Sequence, residues 1–290
     1  GNPRSLLDSL VATINRDSGT QIEELYGTAR IDLWEMTGGA AGLAFGAEFR
    51  SEDYADIYDT LQSSGQIVGS AGDSRRFGRE IRSLFANLDL PVHDTVTLSP
   101  ALRHDRYDDA GSTTSARLGV AWQPLYELAF RAAAGRSHAA PALFVAGQPA
   151  VGPGSAAVIQ YGCTLFPGGV NEPCIEVIPV FSAANPRLRS EHARHWSAGM
   201  SWNLTSRLVL SLDAYRIALR DRIALLSPQQ IVDCLSDRGP CTSQIRLFDT
   251  RPVTADPARG PGGYLDLDGL FDAVQLGWVN FGRLDARGAD

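Results

Sequence analysis

The sequence predicts an all-β protein, an antiparallel transmembrane β-barrel to which these residues contribute about nine strands. Three observations predict this class. Hydrophobic residues alternate with small or charged ones, short turns alternate with long links, and tryptophans lie beside the short turns. The alternating segments have about ten residues each, the length of a tilted strand that crosses a bilayer. Alternation alone would also fit a soluble β-sandwich, but globular strands more often have about five or six residues.

The alternation divides each strand into two faces. In 41–49 the odd positions are Ala, Leu or Phe, whereas the even positions are small or charged, and segments 116–122, 128–135 and 208–215 behave similarly. We expect the apolar face to meet lipid and the polar face to line a water-filled or plugged lumen. The residues that we assign to the lumen are Arg30, Asp32, Glu48, Arg50, Asp89, Arg103, Arg117, Arg131 and Asp213.

The connections alternate in length. Short turns are predicted at 35–39, 91–94, 124–127 and 203–207, and long links at 51–77, 105–112, 137–190 and 221–270. The predicted strands begin near Glu24, Ala40, Glu80, Thr95, Thr114, Glu127, His192, Arg207 and Phe271. Trp34, Trp122 and Trp202 lie at or beside short turns, where an interfacial aromatic girdle would place them. This pattern predicts periplasmic short turns and extracellular long links.

An odd set of nine strands does not close a bacterial barrel, and open edges are not tolerated in lipid. We therefore expect residues 1–290 to be a partial barrel domain, with the leader, any plug, the early strands and the final strands outside it. No run of about 18 apolar residues occurs, so the sequence predicts no membrane-spanning helix.

Charge and cysteine spacing restrict the function. The net charge of −7 argues against a nucleic-acid partner, because such binding needs clustered cations. Cys163 and Cys174, and Cys234 and Cys241, form two local pairs within Gly- and Pro-rich stretches. We expect two loop disulfides, since a zinc site would need tighter spacing and nearby histidines.

Candidate catalytic and cofactor sites are weak. His192 and His195 are three apart on a predicted strand, so they point to opposite faces and cannot chelate one ion together. Asp105, Asp108 and Asp109 lack the EF-hand spacing and are expected at a solvated loop tip. Gly152, Gly154 and Ala157 fit a dinucleotide pattern, but neither a leading strand nor a following helix is predicted. We expect no cofactor, no metal and no enzymatic activity.

Several motifs resemble the TonB-dependent receptors of Gram-negative outer membranes. The segment 185–191, NPRLRSE, followed by Trp196, Gly199 and Trp202, resembles the stretch that enters a late barrel strand in that family. The segment 212–223, LDAYRIALRDRI, is similar to the strand that follows. Weaker similarities occur at 46–50, 85–91, 135–143, where the family's arginine before the proline is missing, and 280–290.

The resemblance implies a receptor that captures a scarce nutrient, such as a siderophore, vitamin or saccharide, outside the cell. It implies outer-membrane lipid, a plug domain and the TonB complex as partners, and localisation in the Gram-negative outer membrane. The long links would contact the ligand, and their aromatic candidates are Tyr161, Phe166, Phe181 and Phe248. A passive porin and a soluble secreted β-sheet binding domain are the alternatives.

Overall fold

The computed structural model describes residues 3, 11–64, 72, 74–147, 151–163, 172–182, 185, 187–230 and 274–290. Within 151–163, 172–182 and 274–276 the description covers the backbone. The elements in chain order are β1 (Arg16–Met36), β2 (Gly39–Tyr58), α1 (Thr60–Ser63), β3 (Arg75–His93), β4 (Val96–Tyr107), β5 (Gly111–Leu125), β6 (Leu128–Ala139), α2 (Leu143–Ala146), β7 (Val151–Cys163), β8 (Glu172–Ser182), β9 (Glu191–Thr205), β10 (Leu208–Leu225), β11 (Val274–Leu276) and β12 (Trp278–Ala289). No helix in these ranges is long and apolar enough to span a bilayer.

Nine strands form one antiparallel sheet in the order β1-β2-β3-β4-β5-β6-β9-β10-β12. Neighbours in this order are hydrogen-bonded, and between the described residues the sheet stays open at β1 and β12. A smaller sheet, ordered β11-β8-β7, is built on residues between β6 and β12. The all-β antiparallel class and the number of strands in the large sheet are as predicted.

Four two-residue turns, at 37–38, 94–95, 126–127 and 206–207, join strand pairs at one end of the sheet, the short-turn end. Each lies within or beside a predicted short turn. The turn at 37–38 lies close to the end of β3, before the turn at 94–95, and this approach requires glycine. A Cβ on Gly38 would lie 2.4 Å from the carbonyl oxygen of His93. The opposite end, from which the links to α1, α2 and the small sheet leave, is the long-link end.

The strands are longer than predicted, with 12 to 21 residues in the large sheet. Polar residues continue the pairing beyond the apolar segments, so that Asp56 still pairs with Arg75 on β3 and with Ser18 on β1. Eleven of the 27 residues of the predicted link 51–77, namely 51–58 and 75–77, therefore belong to β2 and β3. The link predicted at 105–112 is wrong as a long loop, because β4 continues to Tyr107 and β5 begins at Gly111.

The predicted link 137–190 also contains regular structure, namely α2 and the β7–β8 hairpin. The short helix α2 contacts β2 and β3. Its Leu143 and Val145 are buried, and a Cβ on the following Gly147 would lie 2.7 Å from Cβ of Phe77. On the other side, the rings of Phe144 and Trp278 meet edge to face with centroids 6.0 Å apart. This helix therefore bridges β3 and β12 at the long-link end.

Asp59 caps the helix α1. Its carboxylate accepts hydrogen bonds from the backbone N–H groups of Gln62, at 2.9 Å, and Asn15, at 2.8 Å. These donors favour the charged form, so they hold the pKa of Asp59 below its ordinary value of 3.8. One side chain thus fixes the helix start and the chain that leads into β1.

Candidate functional site

The strand register places all nine residues that the sequence assigned to a lumen on one face of the sheet, the polar face. Glu48 pairs with Ser83, and Ser83 with Asp105, so alternate positions on β2, β3 and β4 share this face. The same parity continues through the pairs of Arg117 with Gly135 and Gly199 with Asp213. That the polar face lines a lumen remains a prediction.

Arg103 is at the centre of a hydrogen-bonded cluster on the polar face. Its guanidinium donates to Glu48 Oε2 at 3.0 Å, to Asp105 Oδ1 at 2.7 Å and to Ser83 Oγ at 2.9 Å. The Ser83 hydroxyl in turn donates to Asp105 at 2.6 Å. Ser83 and Asp105 are buried, and the three strands β2, β3 and β4 are thereby joined through side chains as well as backbone.

The cluster continues toward the long-link end through Arg50 and Glu52. Arg50 Nε lies 3.9 Å from Glu48 and 3.2 Å from Glu52, and Glu52 lies 3.9 Å from Arg79. Arg50 Nε is buried and makes no hydrogen bond of acceptable geometry. Seven charged residues thus contact one another in series, in the order Asp105, Arg103, Glu48, Arg50, Glu52, Arg79 and Asp109. Their charges alternate in sign, so each charge that is partly removed from water lies beside one of opposite sign.

Arg79 ends this chain of contacts and is 4% exposed. It donates to both carboxylate oxygens of Asp109, at 2.9 and 2.7 Å, and to the carbonyl oxygen of Pro141 at 2.7 Å. Asp109 lies in the β4–β5 turn and Pro141 precedes α2, so Arg79 ties both to β3. The expectation of a solvated loop tip is wrong for Asp105, which is buried in β4. Asp108 and Asp109 do lie in the exposed β4–β5 turn, where Arg79 neutralises Asp109.

The other predicted polar-face residues differ in their contacts. Arg131 forms a bidentate ion pair with Asp213 across β9, with hydrogen bonds of 2.7 and 2.5 Å. A Cβ on the intervening Gly199 would lie 2.0 Å from Asp213 Oδ1, so only glycine leaves room for this ion pair. Arg30 lies 4.0 Å from Asp89. Asp32 and Arg117 form no ion pair with any described residue.

The opposite face of the sheet, the apolar face, exposes large hydrophobic side chains. Phe45, Leu102, Leu118 and Leu210 are each more than 40% exposed. Trp122 stacks on Phe130 with centroids 5.1 Å apart, and Trp202 pairs with Leu128, so both tryptophans lie on this face near short turns. A soluble sheet would bury such a surface against a second layer, whereas a membrane strand leaves it for lipid.

Two of the four aromatic residues predicted to contact the ligand lie in strands that the structure describes. Tyr161 lies in β7 and Phe181 in β8, for which the backbone alone is described, and Phe166 and Phe248 lie outside the described residues. Of the cysteines, Cys163 pairs in backbone register with Glu172, and Cys174 with Tyr161. Cys234 and Cys241 lie outside the described residues. The disulfides and the ligand contacts therefore stay predictions.

Two histidines meet in a way that the sequence did not predict. His192 faces His138 on the neighbouring strand, their Nδ1 atoms 2.7 Å apart, so one ring donates a proton that the other accepts. His195 pairs with Gly135 and points to the opposite face, as expected. Among the described residues no group of three His, Cys, Asp or Glu side chains could hold a metal ion.

Sequence reasoning missed Arg79, Ser83 and Asp109 as members of the polar-face cluster. The available signal was parity, because Arg79 and Ser83 alternate with the apolar-face residue Leu84 and with exposed Arg82. Starting β3 near Glu80 removed Arg79 from the strand. The contact between Arg79 and Pro141 spans 62 positions and has no local signature.

A family model for TonB dependent receptor-like β-barrels matches residues 3–289. The chain belongs to the TonB-dependent receptor family. TonB-dependent receptors are Gram-negative outer-membrane proteins that serve in transport. No curated protein matches the chain.

Solved TonB-dependent receptors share the fold. The ferric enterobactin receptor PfeA of Pseudomonas aeruginosa is 18% identical, with a TM-score of 0.60 over 94% of this chain and 33% of that one. The siderophore receptor PirA of Acinetobacter baumannii is 17% identical, with a TM-score of 0.59 over 94% and 34%. The hemophore receptor HasR of Serratia marcescens is 18% identical, with a TM-score of 0.56 over 94% and 39%.

The chain thus spans about a third of the length of these similar receptors. The nine-stranded sheet is a partial barrel of their kind. The family and these neighbours are transport receptors, not enzymes.

Proposed function

We propose that this chain is part of an outer-membrane receptor that takes up a scarce nutrient with energy from the TonB complex. The observation that carries the proposal is a nine-stranded sheet with one charged and one apolar face, in a chain that matches the receptor family over residues 3–289. The proposed localisation is the outer membrane of a Gram-negative bacterium, and the proposal includes no enzymatic activity.

In the proposed arrangement the apolar face meets lipid and the polar face meets water and a plug domain. The exposure of Phe45, Leu102 and Leu118 supports the first assignment, and the nearly balanced charges around Arg103 support the second. Short turns would be periplasmic and the long-link end extracellular, where the bridge of α2 between β3 and β12 would narrow the entrance.

The proposed substrate class is a small nutrient such as a siderophore, vitamin or saccharide. The similar solved structures include receptors for ferric enterobactin and for a heme-carrying hemophore, which supports an iron source as the first substrate to test. Tyr161, Phe166, Phe181 and Phe248 are the proposed ligand contacts, on links stiffened by disulfides Cys163–Cys174 and Cys234–Cys241.

The experiment is an uptake assay with the full-length receptor in a bacterium that lacks its own iron-chelate receptors. We expect accumulation of at least one labelled ferric chelate or of heme, and complete loss of it when TonB is deleted. Accumulation that persists without TonB would show a passive channel instead, and recovery of a detergent-free monomer from the aqueous fraction would show a soluble binding domain.

The ligand contacts are tested in the same assay by replacing the four aromatic residues with alanine. We expect uptake to fall while the amount of receptor in the membrane stays constant. Unchanged uptake in the fourfold variant would remove these residues as ligand contacts and leave the uptake function untouched.

A further inference from the structure

An open groove of about 1000 Å³ crosses the apolar face from β2 to β12. On β3, β4 and β5 its lining is apolar apart from Arg117, and it includes Leu88, Leu102 and Leu118. On β6, β9, β10 and β12 its lining includes Arg136, Arg194, Arg220 and Arg283. No carboxylate of a described residue lines it. The groove therefore joins an apolar half to a cationic half.

The four arginines are exposed, and none of them forms an ion pair with a described residue, in contrast to the paired arginines of the polar face. Arg136 and Arg194 even lie directly opposite each other in the pairing of β6 with β9. Like charges in directly opposed positions destabilise a sheet unless an anion lies between them. Arg216 on β10, which also lines the groove, has such an anion in Asp285 at 2.5 Å. Asp285 also interacts electrostatically with Arg283, whereas Arg136, Arg194 and Arg220 have no such anion among the described residues.

The neighbours of the arginines are apolar. Ala134 and Trp196 are two positions away on the same face of β6 and β9, and Ala116 pairs with Arg136 across β5. A free inorganic anion would neutralise the arginines, but it has no apolar part that could cover the apolar half of the groove. An occupant with an anionic head and hydrocarbon chains matches both halves.

We propose that this groove binds a phosphorylated, anionic lipid, whose headgroup lies among Arg136, Arg194, Arg220 and Arg283 and whose acyl chains lie over β3, β4 and β5. Guanidinium groups form bidentate, charge-assisted hydrogen bonds with phosphate oxygens, and clustered arginines beside a membrane surface attract anionic headgroups. This lipid differs from the nutrient of the uptake reaction.

The test uses the full-length receptor in micelles of an uncharged detergent, doped equally with dioleoyl phosphatidylglycerol and dioleoyl phosphatidylcholine. Native mass spectrometry counts the lipids that stay bound. We expect phosphatidylglycerol to be retained at least about tenfold more than phosphatidylcholine, because each arginine near a headgroup contributes about fivefold in affinity. Equal retention of the two lipids would overturn the proposal.

The matched variants are R136Q/R194Q and R106Q/R207Q, which remove two positive charges each. Arg106 and Arg207 are exposed, lie outside the groove lining and form no ion pair with a described residue. We expect the first variant to lower phosphatidylglycerol retention by about tenfold or more and the second to change it by less than about twofold. Equal losses in both variants would show nonspecific charge attraction and contradict the groove.

Two further measurements keep the test decisive. Inorganic phosphate added in excess should not displace the lipid, and displacement would show a bare anion site instead. If R136Q/R194Q does not fold, as judged by circular dichroism, quenching of Trp196 fluorescence in the unmodified receptor replaces it. The Trp196 signal is the part of the fluorescence that is absent from W196F. Brominated phosphatidylglycerol should quench this signal more strongly than brominated phosphatidylcholine does, and equal quenching would overturn the proposal.

Discussion

The guanidinium of Arg79 lies 2.7 Å from the carbonyl oxygen of Pro141 and holds the segment before α2 against β3. The same guanidinium pairs with Asp109, so one buried cation fixes the β4–β5 turn and the start of the β6–β7 link together. The Arg79 side chain is nearly inaccessible to water, unlike the cations of most surface ion pairs, and its loss should have a correspondingly large effect.

Replacing Arg79 with alanine should free the α2 segment. Removing Arg79 deletes its hydrogen bonds to Asp109 and Pro141, and hydrogen bonds to charged groups contribute about 1.5–3 kcal/mol each. We expect amide hydrogen exchange at Val145 and Gly147, whose N–H groups bond within α2, to accelerate by at least about tenfold. Arg82→Ala is the control, since its pair with Glu80 is exposed, and comparable acceleration there would contradict a specific role for Arg79.

The coupling between Arg103 and Glu48 should exceed that between Arg30 and Asp89. The Glu48 side chain is 11% exposed and 3.0 Å from Arg103, whereas the Arg30–Asp89 pair is 4.0 Å apart and widely exposed. Double-mutant cycles to alanine should give about 1–3 kcal/mol for the first pair and below about 0.5 kcal/mol for the second. Equal couplings in urea unfolding would mean that burial does not distinguish the two pairs.

Gly46 should not tolerate a side chain. A Cβ there would lie 2.4 Å from the carbonyl oxygen of Gly27 and 2.6 Å from the Phe85 ring. Gly46→Ala should therefore lower the free energy of unfolding by roughly 1–3 kcal/mol. Gly27→Ala, on the neighbouring strand, is a close control, because a Cβ there would meet no atom within 4 Å, and it should be neutral or mildly stabilising. A larger loss at Gly27 than at Gly46 would contradict the packing described.

Acid should loosen the cap that Asp59 forms. Because the folded pKa of this carboxyl lies below 3.8, its contribution is complete above that pH and disappears as the pH falls through the folded pKa. Cleavage by pepsin near α1 should therefore increase between about pH 4 and pH 2. Asp59→Asn keeps an acceptor oxygen but cannot titrate, so its cleavage should follow only pepsin's own pH dependence and rise less. An identical pH profile in the two proteins would count against the cap.

The pairing of the cysteines can be determined by peptide mapping under non-reducing conditions. Digestion of the receptor without reducing agent should yield one fragment that joins Cys163 to Cys174 and another that joins Cys234 to Cys241. The backbone register places the first pair on adjacent strands of a hairpin, two positions out of direct opposition, so a bridge between them would run diagonally. Recovery of alkylated, unpaired cysteines from a sample trapped at once after lysis would show that the links are not cross-linked.

Much of the sheet could be predicted because a barrel strand with one apolar and one polar face has a strict two-residue alternation. Phe45, Leu118 and Trp122 fall on their predicted face because a shift by one residue would exchange the two faces along a whole strand. The short turns were predictable because a Gly, Pro or Asn lies in each of them or within three residues of it.

The strand ends and the polar-face cluster were harder to predict from the sequence. Beyond the apolar band the sequence at 51–58 and 75–80 has polar residues on both faces, so the alternation no longer separates strand from loop. Arg79 and Asp109 meet because the β4–β5 turn lies against a strand that extends past it. That relation depends on the relative heights of β3 and β4, which local sequence does not encode.

The unequal strand lengths give the rim of the sheet a step. β3 has 19 residues and β4 has 12, and pairing between them begins only at Ile81. The part of β3 above the step would expose its backbone, but Asp108 binds the N–H and carbonyl of Glu80, and Asp109 binds Arg79. The hairpin tip at 108–110 is thus a fixed part of the wall. An epitope tag inserted there would displace it from β3, which makes this turn a poor place to extend the chain despite its position at the surface.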